Sequence, residues 1–346
     1  MPCQTIYLEH LPRVSVIIPV RNEQEYIEQC LISLLEQDYP AEQLEIIVVD
    51  GLSNDDTREI ATRVFQSNGS LDWRILTNRD QVTPAALNRG VEAAIGRVIV
   101  RVDGHATIAK DYVRKCVEVL AETGAGCVGG HVRPVGSGLM GGAIAAAHLS
   151  PFGLGGGKLH DLSYEGPADT AYLGCWPREV FETVGMFDES LYRNQDIEFN
   201  SRIRSSGKQV YLSRDIVVHY HPRASLISLA KQHFQTGKWN IITLMRSRQA
   251  LSLRHFVPLL FVVSLLIGLA LIPASNVSSY ALMGMVGAYA VANVGATIHS
   301  AFRWGVRQAI LLPIVFATIH LSYGFGSMWE LVTAMMYRQQ QEAPVN

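Results

Sequence analysis

The chain has 346 residues with 29 Lys+Arg against 31 Asp+Glu, a net charge of −2. That balance offers no basic excess to meet a phosphate backbone, which excludes nucleic acid as a partner on electrostatic grounds. With 48% apolar and only 17% charged residues, against roughly 25% charged in soluble domains, the chain is neither disordered nor composed like an ordinary soluble protein. The charges are also unevenly shared: beyond His255 only Arg303, Arg307, Glu330, Arg338 and Glu342 are charged. Two parts of the chain are therefore built for two solvents.

The first residues, MPCQTIYLEHLPR, lack both the basic-then-apolar layout of an export signal and a Met-Gly start for myristoylation. The five cysteines, Cys3, Cys30, Cys116, Cys127 and Cys175, show no CxxC or zinc spacing and read as reduced core thiols. Asn68-Gly69-Ser70 and Asn276-Val277-Ser278 match the short glycosylation acceptor pattern, which carries no weight without a host.

Strands and helices then alternate. Val14–Val20 is a continuous apolar run of strand length, followed by the strand Leu44–Asp50 (LEIIVVD), a shorter run at 73–76 and a fourth, VIVRVD, at 98–103. Helical spacing falls between them at Ile27, Cys30, Leu31, Leu34 and Leu35, over about 55–65, and around 84–95. Buried strands alternating with helices predict a doubly wound, mostly parallel α/β sheet, whose ligands sit beyond the carboxyl ends of the strands. Pro19, Arg21 and Glu23, Asp50, and Asp103 fall at those ends.

Val20-Arg21-Asn22-Glu23 stands where a dinucleotide-binding sheet needs GxGxxG, and its carboxylate argues against bare pyrophosphate at that loop. Gly136-x-Gly138-x-x-Gly141 matches that pattern but lies elsewhere, in the Gly- and Ala-rich GSGLMGGAIAAAH, and reads as a packing or loop feature; the apolar run 139–149 is too short to span a bilayer. Gly155-Gly156-Gly157-Lys158 lacks the Ser or Thr of a phosphate-binding loop. Without a glycine cradle a diphosphate needs a cation. Asp103-Gly104-His105 offers an oxygen and an imidazole nitrogen at a strand end, a donor pair suited to Mn²⁺ or Mg²⁺.

Residues 225–255 form an amphipathic segment, with Leu226, Leu229, Phe234, Trp239, Ile242 and Met245 beside Lys231, Lys238 and Arg246, as in a helix lying at a membrane surface. Three uncharged stretches follow, 256–272, 280–301 and 309–328 with an extension toward 331, each near the roughly 20-residue length of a bilayer-spanning helix. The connector 273–279 is uncharged, whereas 302–308 carries Arg303 and Arg307, and Arg246, Arg248 and Arg254 precede the first stretch. By the positive-inside rule residues 1–255 are expected in the cytoplasm of a multi-pass inner-membrane protein, comprising a domain at 1–224 and the interfacial segment, followed by a membrane part at 256–337 and a short tail at 338–346 outside.

Five ordered blocks resemble the family 2 glycosyltransferases, which have the GT-A fold and use nucleotide-sugar donors: VSVIIPVRNEQEYIEQCLISLLEQDYP, IIVVDGLSNDDT, PAALNRGVEAAIGRVIVRVDGHA, GCWPREVFETVGMFDESLYRNQDIEFNSRIRSSG and QTGKW. The three C-terminal stretches, the DGH variant and HLSYGFGSMWEL are most similar to the succinoglycan-type exopolysaccharide enzymes. The resemblance implies that Pro19, Arg21, Glu23, Asp50 and, in the loop before PAALN, Arg79 bind the nucleotide sugar. It also implies that Asp103 is the first acid of a DxD motif whose second acid is His105 here, with His219 or His221 of HYHPR as a candidate further metal ligand. Asp196, in the place of the ED or TED acid and preceded by Gln195, is implied as catalytic base. Trp176, Gln195, Gln235, Lys238 and Trp239 are implied at the acceptor and diphosphate, Lys238 giving a point charge where the family usually has the fork of Arg. Glu198, two residues from Asp196, reads as a structural acid.

An inverting transfer needs one carboxylate to take the acceptor proton, and a cation to neutralise the departing diphosphate; a retaining glycosidase would need two flanking carboxyls. The reading is an inverting hexosyltransferase moving glucose from UDP-glucose to a polyprenyl-diphosphate-linked glycan. Two other readings are a processive polysaccharide synthase, which generally has more spans, and a non-catalytic membrane-anchored nucleotide-sugar binding protein.

Overall fold

The computed structural model describes residues 11–67, 71–220, 225–247 and 250–342. Cys3, the Asn68 acceptor pattern, His221 and Arg248 lie outside the described residues. In chain order the elements begin β1 (Val14–Val20), α1 (Ile27–Leu35), β2 (Leu44–Asp50), α2 (Thr57–Gln66), β3 (Asp72–Thr77), α3 (Thr83–Ala93), β4 (Val98–Arg101), β5 (Thr107–Ile108), α4 (Tyr112–Thr123) and β6 (Cys127–Pro134). They continue α5 (Gly138–Leu149), α6 (Pro151–Leu154), β7 (Gly166–Pro167), β8 (Tyr172–Pro177), α7 (Glu179–Val184), α8 (Gln195–Ser205) and β9 (Val210–Tyr220). Helices complete the chain: α9 (Leu226–Arg246), α10 (Val257–Leu271), α11 (Asn276–Trp304), α12 (Val306–Ala309) and α13 (Leu312–Glu342). The chain divides into two compact units, one of residues 1–133 and 161–220, the other of 134–160 and 221–346. Residues 134–160 thus leave the segment 1–224 and group with the C-terminal helices.

The first unit is built on a nine-stranded sheet in the order β3-β2-β1-β4-β8-β6-β9-β5, with β7 on β9. The four strands seen in the sequence pair in parallel, with Ser15 opposite Glu45 and Val20 opposite Asp50. Every residue of β2 is buried, as helices on both faces of a parallel sheet require. Beyond β4 the expected parallel order gives way: β8 pairs antiparallel with β4 and β6, and β9 takes β5 and β7 antiparallel. The sheet is therefore mixed. Antiparallel neighbours need no crossover helix, and an apolar run has the same composition in either direction, so hydropathy alone carried no sign of the change.

Valines, isoleucines and leucines of β1, β2, β4, α1 and α4 form one core, which also takes in Cys30, Cys116 and Cys175. These three and Cys127 are buried free thiols. At the amino ends of β1 and β2 the core holds a charge. The Glu45 carboxylate, fully buried, pairs with Arg74, accepts from the Ser15 hydroxyl and accepts the Ile95 amide at 3.1 Å. Ser15 Oγ in turn accepts the Gly96 amide at 2.8 Å.

The second unit is helical. Its core joins Ala143, Ile144 and Ala147 of α5 to Leu229 of α9 and to Leu312, Val315, Phe316 and Ile319 of α13. Two stretches, Leu253–Ala274 and Asn276–Trp304, are long and apolar enough to cross a membrane, and only 11% and 6% of their most apolar windows are buried. A core helix of a soluble protein would hide that surface; these expose it. The third expected span does not match them in composition. Val306–Ala309 is a separate turn, and α13 carries His320, Ser322, Tyr323, Ser327 and Glu330 along a face partly buried against α9 and α10. Two described helices, not three, meet the requirement.

Candidate active site

The site is assembled from loops at the carboxyl ends of β1, β2 and β4 in the first unit. Two of them are laced together. The Asn22 amide donates to Ser53 Oγ at 2.9 Å, the Asn54 amide to Asn22 Oδ1 at 3.0 Å, and the Glu23 amide to Thr57 Oγ1 at 2.8 Å. Asn22 and Leu52 both take φ near +57°, a left-handed conformation that asparagine tolerates better than leucine. Asp50 closes its own turn: Oδ1 accepts the Ser53 amide at 3.1 Å and the Ser53 hydroxyl at 2.6 Å, and Oδ2 lies 3.6 Å from Arg58.

β4 ends at Arg101, two residues before the end read from hydropathy. Val102 stays beside β1 through its amide on the Ile17 carbonyl at 3.0 Å, and a turn follows in which the Ala106 amide donates to the Asp103 carbonyl at 2.8 Å. Gly104 sits inside that turn, where a Cβ would come 2.7 Å from Val20 Cγ1. Only glycine allows the approach.

These loops enclose a cavity of about 260 Å³ whose wall includes Pro19, Arg21, Glu23, Arg101, Asp103 and His105. His105 Nδ1 is 3.0 Å from Glu23 Oε1. That hydrogen bond raises the His105 pKa against the opposing effect of burial, and the Asp103 charge adds to the rise. Arg101 Nε donates to Asp103 Oδ1 at 2.7 Å, both side chains being about nine-tenths buried. Asp196 lies in the first turn of α8, after Asn194 at φ +61°. There its Oδ1 accepts the Ile197 amide at 2.9 Å and the helix amino end favours a negative charge. It retains some solvent contact, yet burial raises its pKa; Arg101 pulls the other way and Asp103 pushes it further up. Arg101 therefore acts on the two acids, Asp103 and Asp196, at once.

The other residues singled out in the sequence are placed as follows. Asp50 is 3% exposed and its neighbour Gly51 takes the place on the cavity wall. Arg79 is exposed, between Asn78 and Gln81, which line the cavity. Trp176 is buried on β8, with Phe181, Phe187 and Phe199 edge-on at 5.9 to 6.0 Å, a core position closed to an acceptor sugar. Gln195 is buried beside Asp196. Glu198 holds Arg202 through contacts of 2.7 and 2.9 Å, and Arg202 donates at 2.7 Å to the Met186 carbonyl, so it is a structural acid. His219 is exposed on β9 opposite Thr107; His221 lies outside the described residues. Gln235, Lys238 and Trp239 are on α9 in the second unit, with Lys238 Nζ 3.4 Å from Glu330. No group of three or more His, Cys, Asp or Glu is arranged to hold a metal among the described residues.

Reasoning from sequence missed Arg101, Asn78 and Gln81, and also Asn88. The last ties α3 to the chain before α8, donating to the Phe187 carbonyl at 3.0 Å and Glu189 at 2.8 Å and accepting the Phe187 amide at 2.9 Å. Arg101 left one signal, a charge inside the apolar run VIVRV of the sequence.

Residues 15–153 match the sequence model of Glycosyl transferase family 2. The chain is also 32% identical over 241 residues to Glycosyltransferase AglE of Haloferax volcanii, covering 70% of this chain and 77% of that protein. The chain belongs to glycosyl transferase family 2. This family 2 glycosyltransferase is 29% identical over 327 residues to the succinoglycan biosynthesis protein ExoA of Rhizobium meliloti, covering 92% of this chain and 94% of that one. Its fold is similar to that of the mannosyltransferase PcManGT from Pyrobaculum calidifontis, solved in complex with GDP-Man and Mn²⁺ (TM-score 0.60, 21% identity, 93% and 88% of the two chains). It is also similar to S. aureus TarS 1-349 (TM-score 0.52, 16% identity, 96% and 94%). The sheet is thus that of the GT-A fold, and two exposed helices of the chain are long and apolar enough to cross a membrane.

Proposed function

We propose that this enzyme transfers glucose from UDP-glucose, with inversion, to a polyprenyl-diphosphate-linked glycan at the cytoplasmic face of the inner membrane, in exopolysaccharide or other cell-surface glycan synthesis. The observation that carries the reading is the cavity at the strand ends, with Glu23, Asp103 and His105 on its wall and Arg101 acting on Asp196. Pro19, Arg21 and Glu23 hold the nucleotide, and Asp50 acts by fixing the turn that presents Gly51. Arg79, exposed in the next loop, reaches the donor from outside. Asp196 takes the acceptor hydroxyl proton on a carboxylate oxygen as the sugar–oxygen bond forms and the diphosphate leaves from the opposite face.

A divalent cation fits the donor set. Arg101 engages Asp103 Oδ1 and Glu23 engages His105 Nδ1, so Asp103 Oδ2 and His105 Nε2 are the atoms that would meet Mn²⁺ or Mg²⁺. Two protein donors suffice where substrate phosphates complete the shell. When bound, the ion supplies charge neutralisation at the departing diphosphate. Asp103 is held in place by Arg101, and His105 by Glu23. His105→Ala is expected to weaken manganese-dependent UDP binding roughly tenfold or more, as loss of a ligand or its support does, with metal-free UDP binding little changed. Calorimetry with and without EDTA checks this, and equal loss in both conditions would argue against a ligand role.

The class and donor are tested together by incubating membranes containing the protein with labelled nucleotide sugars and analysing the lipid extract. Label from UDP-glucose in a lipid-linked glycan is the expected result. Consumption of another donor would refute glucose, and no lipid-borne label with any donor would refute the acceptor.

A further inference from the structure

The second unit has a larger cavity of its own, about 540 Å³, between the glycine-rich loop after α6 and the helices α10, α11 and α13. Its wall is mainly apolar. Phe261 stacks on Tyr289 at 4.7 Å, and Phe152 meets His320 edge-on at 4.9 Å. The polar tips of this wall are turned onto one another: the Tyr289 hydroxyl is 3.0 Å from His320 Nδ1, and His320 Nε2 is 2.8 Å from the Phe152 carbonyl. In the neutral imidazole Nε2 donates to the carbonyl and Nδ1 accepts from the tyrosine, so both ring nitrogens are satisfied. The cavity is left with ring faces rather than charge along its length.

One end is different. Arg254 and His255 line it just before α10, the first apolar helix. Phe261 is seven residues past Arg254, about two helical turns or roughly 10 Å along the chain, and both line the same cavity. Gly155, Gly156 and Gly157 leave room for the guanidinium: a Cβ on Gly157 would come 3.4 Å from Arg254 Cζ. Gly155 and Gly156 take φ of +72° and +63° after the right-handed turn of α6, the backbone order that gathers successive N–H groups into an anion-binding concavity. His255 Nδ1 is held against Ser252, 3.1 Å from its amide and 3.0 Å from its carbonyl.

We propose that this cavity binds a phosphate ester carried on a single apolar chain, the polyisoprenoid phosphate end of the acceptor, with the phosphate at Arg254 and the chain along Phe152, Phe261 and Tyr289. The charge is at the level where an apolar helix begins and the apolar wall is beyond it, which is the order of headgroup and tail in a lipid. A soluble sugar phosphate would leave the aromatic wall uncovered, and a neutral lipid would bring no charge to match that of the arginine. The proposal rests on the lipid-linked acceptor reading above for the identity of the chain, and on the cavity alone for its chemistry.

The test uses the full chain in nanodiscs of neutral phosphatidylcholine, with undecaprenyl phosphate bearing a diazirine as probe, and with undecaprenol, phosphatidylglycerol and inorganic phosphate as competitors. Crosslinks are expected in the segments carrying Phe152, Phe261 or Tyr289 and should be competed by unlabelled undecaprenyl phosphate alone. Arg254→Gln should weaken labelling roughly ten- to hundredfold, the worth of a charge-assisted hydrogen bond, while UDP binding by the same sample stays unchanged and shows that the protein is folded. Phe261→Ala should weaken it with Arg254 intact. Equal competition by phosphatidylglycerol would overturn the single-chain assignment, equal competition by undecaprenol or inorganic phosphate would overturn the paired headgroup and tail, and unchanged labelling in Arg254→Gln would overturn the site. Labelling needs no sugar donor, so specific binding without glycosyl transfer to any lipid would refute the acceptor reading and leave the cavity's ligand class standing. Transfer to a lipid acceptor unaffected by Arg254→Gln would do the reverse.

Discussion

Asp196→Asn is expected to lower sugar transfer by about 10²–10⁴-fold, the usual worth of a general base, with UDP affinity unchanged. The substitution keeps size and the hydrogen bond from the Ile197 amide but removes the lone pair that takes a proton. Because burial raises the Asp196 pKa, the acid limb of kcat/KM should lie above the ordinary aspartate range of about 3.9, with activity lost as pH falls through it. The same shift has a stability consequence of opposite sense. Between the unfolded pKa and the raised folded one, the folded chain binds more protons, so stability falls as pH rises through that window. Asp196→Asn, which removes the buried charge, should therefore hold or raise the melting temperature at neutral pH while activity collapses. Normal turnover would sink the assignment; a collapse of melting temperature alongside activity would show a structural role instead.

Glu45→Ala should be the most damaging substitution for stability, by about 2–5 kcal/mol, or roughly 5–15 °C in the melting temperature of the first unit. Arg74 is 38% exposed and can turn to water once its partner is gone, so the ion pair itself is the smaller part. The larger part is the Ser15 hydroxyl and the Ile95 amide, which lose their acceptor, together with the empty volume. Glu45→Gln keeps the volume and one acceptor and should cost clearly less. Replacing Glu45 and Ser15 together by Leu and Ala refills the volume but strands the Gly96 amide as well as that of Ile95, so it should remain clearly less stable than Glu45→Gln. Chemical denaturation followed by tryptophan fluorescence, with Trp73 stacked on Phe65 at 4.8 Å as a nearby reporter, measures all three. Equal midpoints for wild type and Glu45→Ala would refute the account.

Val14–Val20 and Leu44–Asp50 could be read to the residue because each is dominated by valine and isoleucine and closed by a charge, Arg21 after the first and Asp50 at the end of the second. The strand at 98–103 overshot because Val102 is as buried as its neighbours although the backbone has already left the ladder. Pairing direction beyond β4 was invisible, since composition is blind to it. Glu23, Asp103 and His105 were legible as polar residues at the ends of apolar runs, where such sheets bind ligands. Arg101 was not, for a charge within a strand looks like a flaw in the pattern until Asp103 and Asp196 are seen around it. Trp176 shows the opposite difficulty: an indole that stacks on a sugar and one packed among phenylalanines have the same letter. The third membrane stretch was overcounted because lack of charge is not the same as apolarity, and His320, Tyr323 and Ser327 dilute α13.

On the donor-binding role proposed above, the lacing of the β1–α1 and β2–α2 loops presents the nucleotide with neighbouring loops that are already set. Asn22, Ser53, Asn54 and Thr57 hold one another without help from a ligand, so donor binding spends little of its free energy on ordering chain. A rigid outline of that kind would refuse a donor of the wrong shape on entry rather than accommodate it and leave it unreacted.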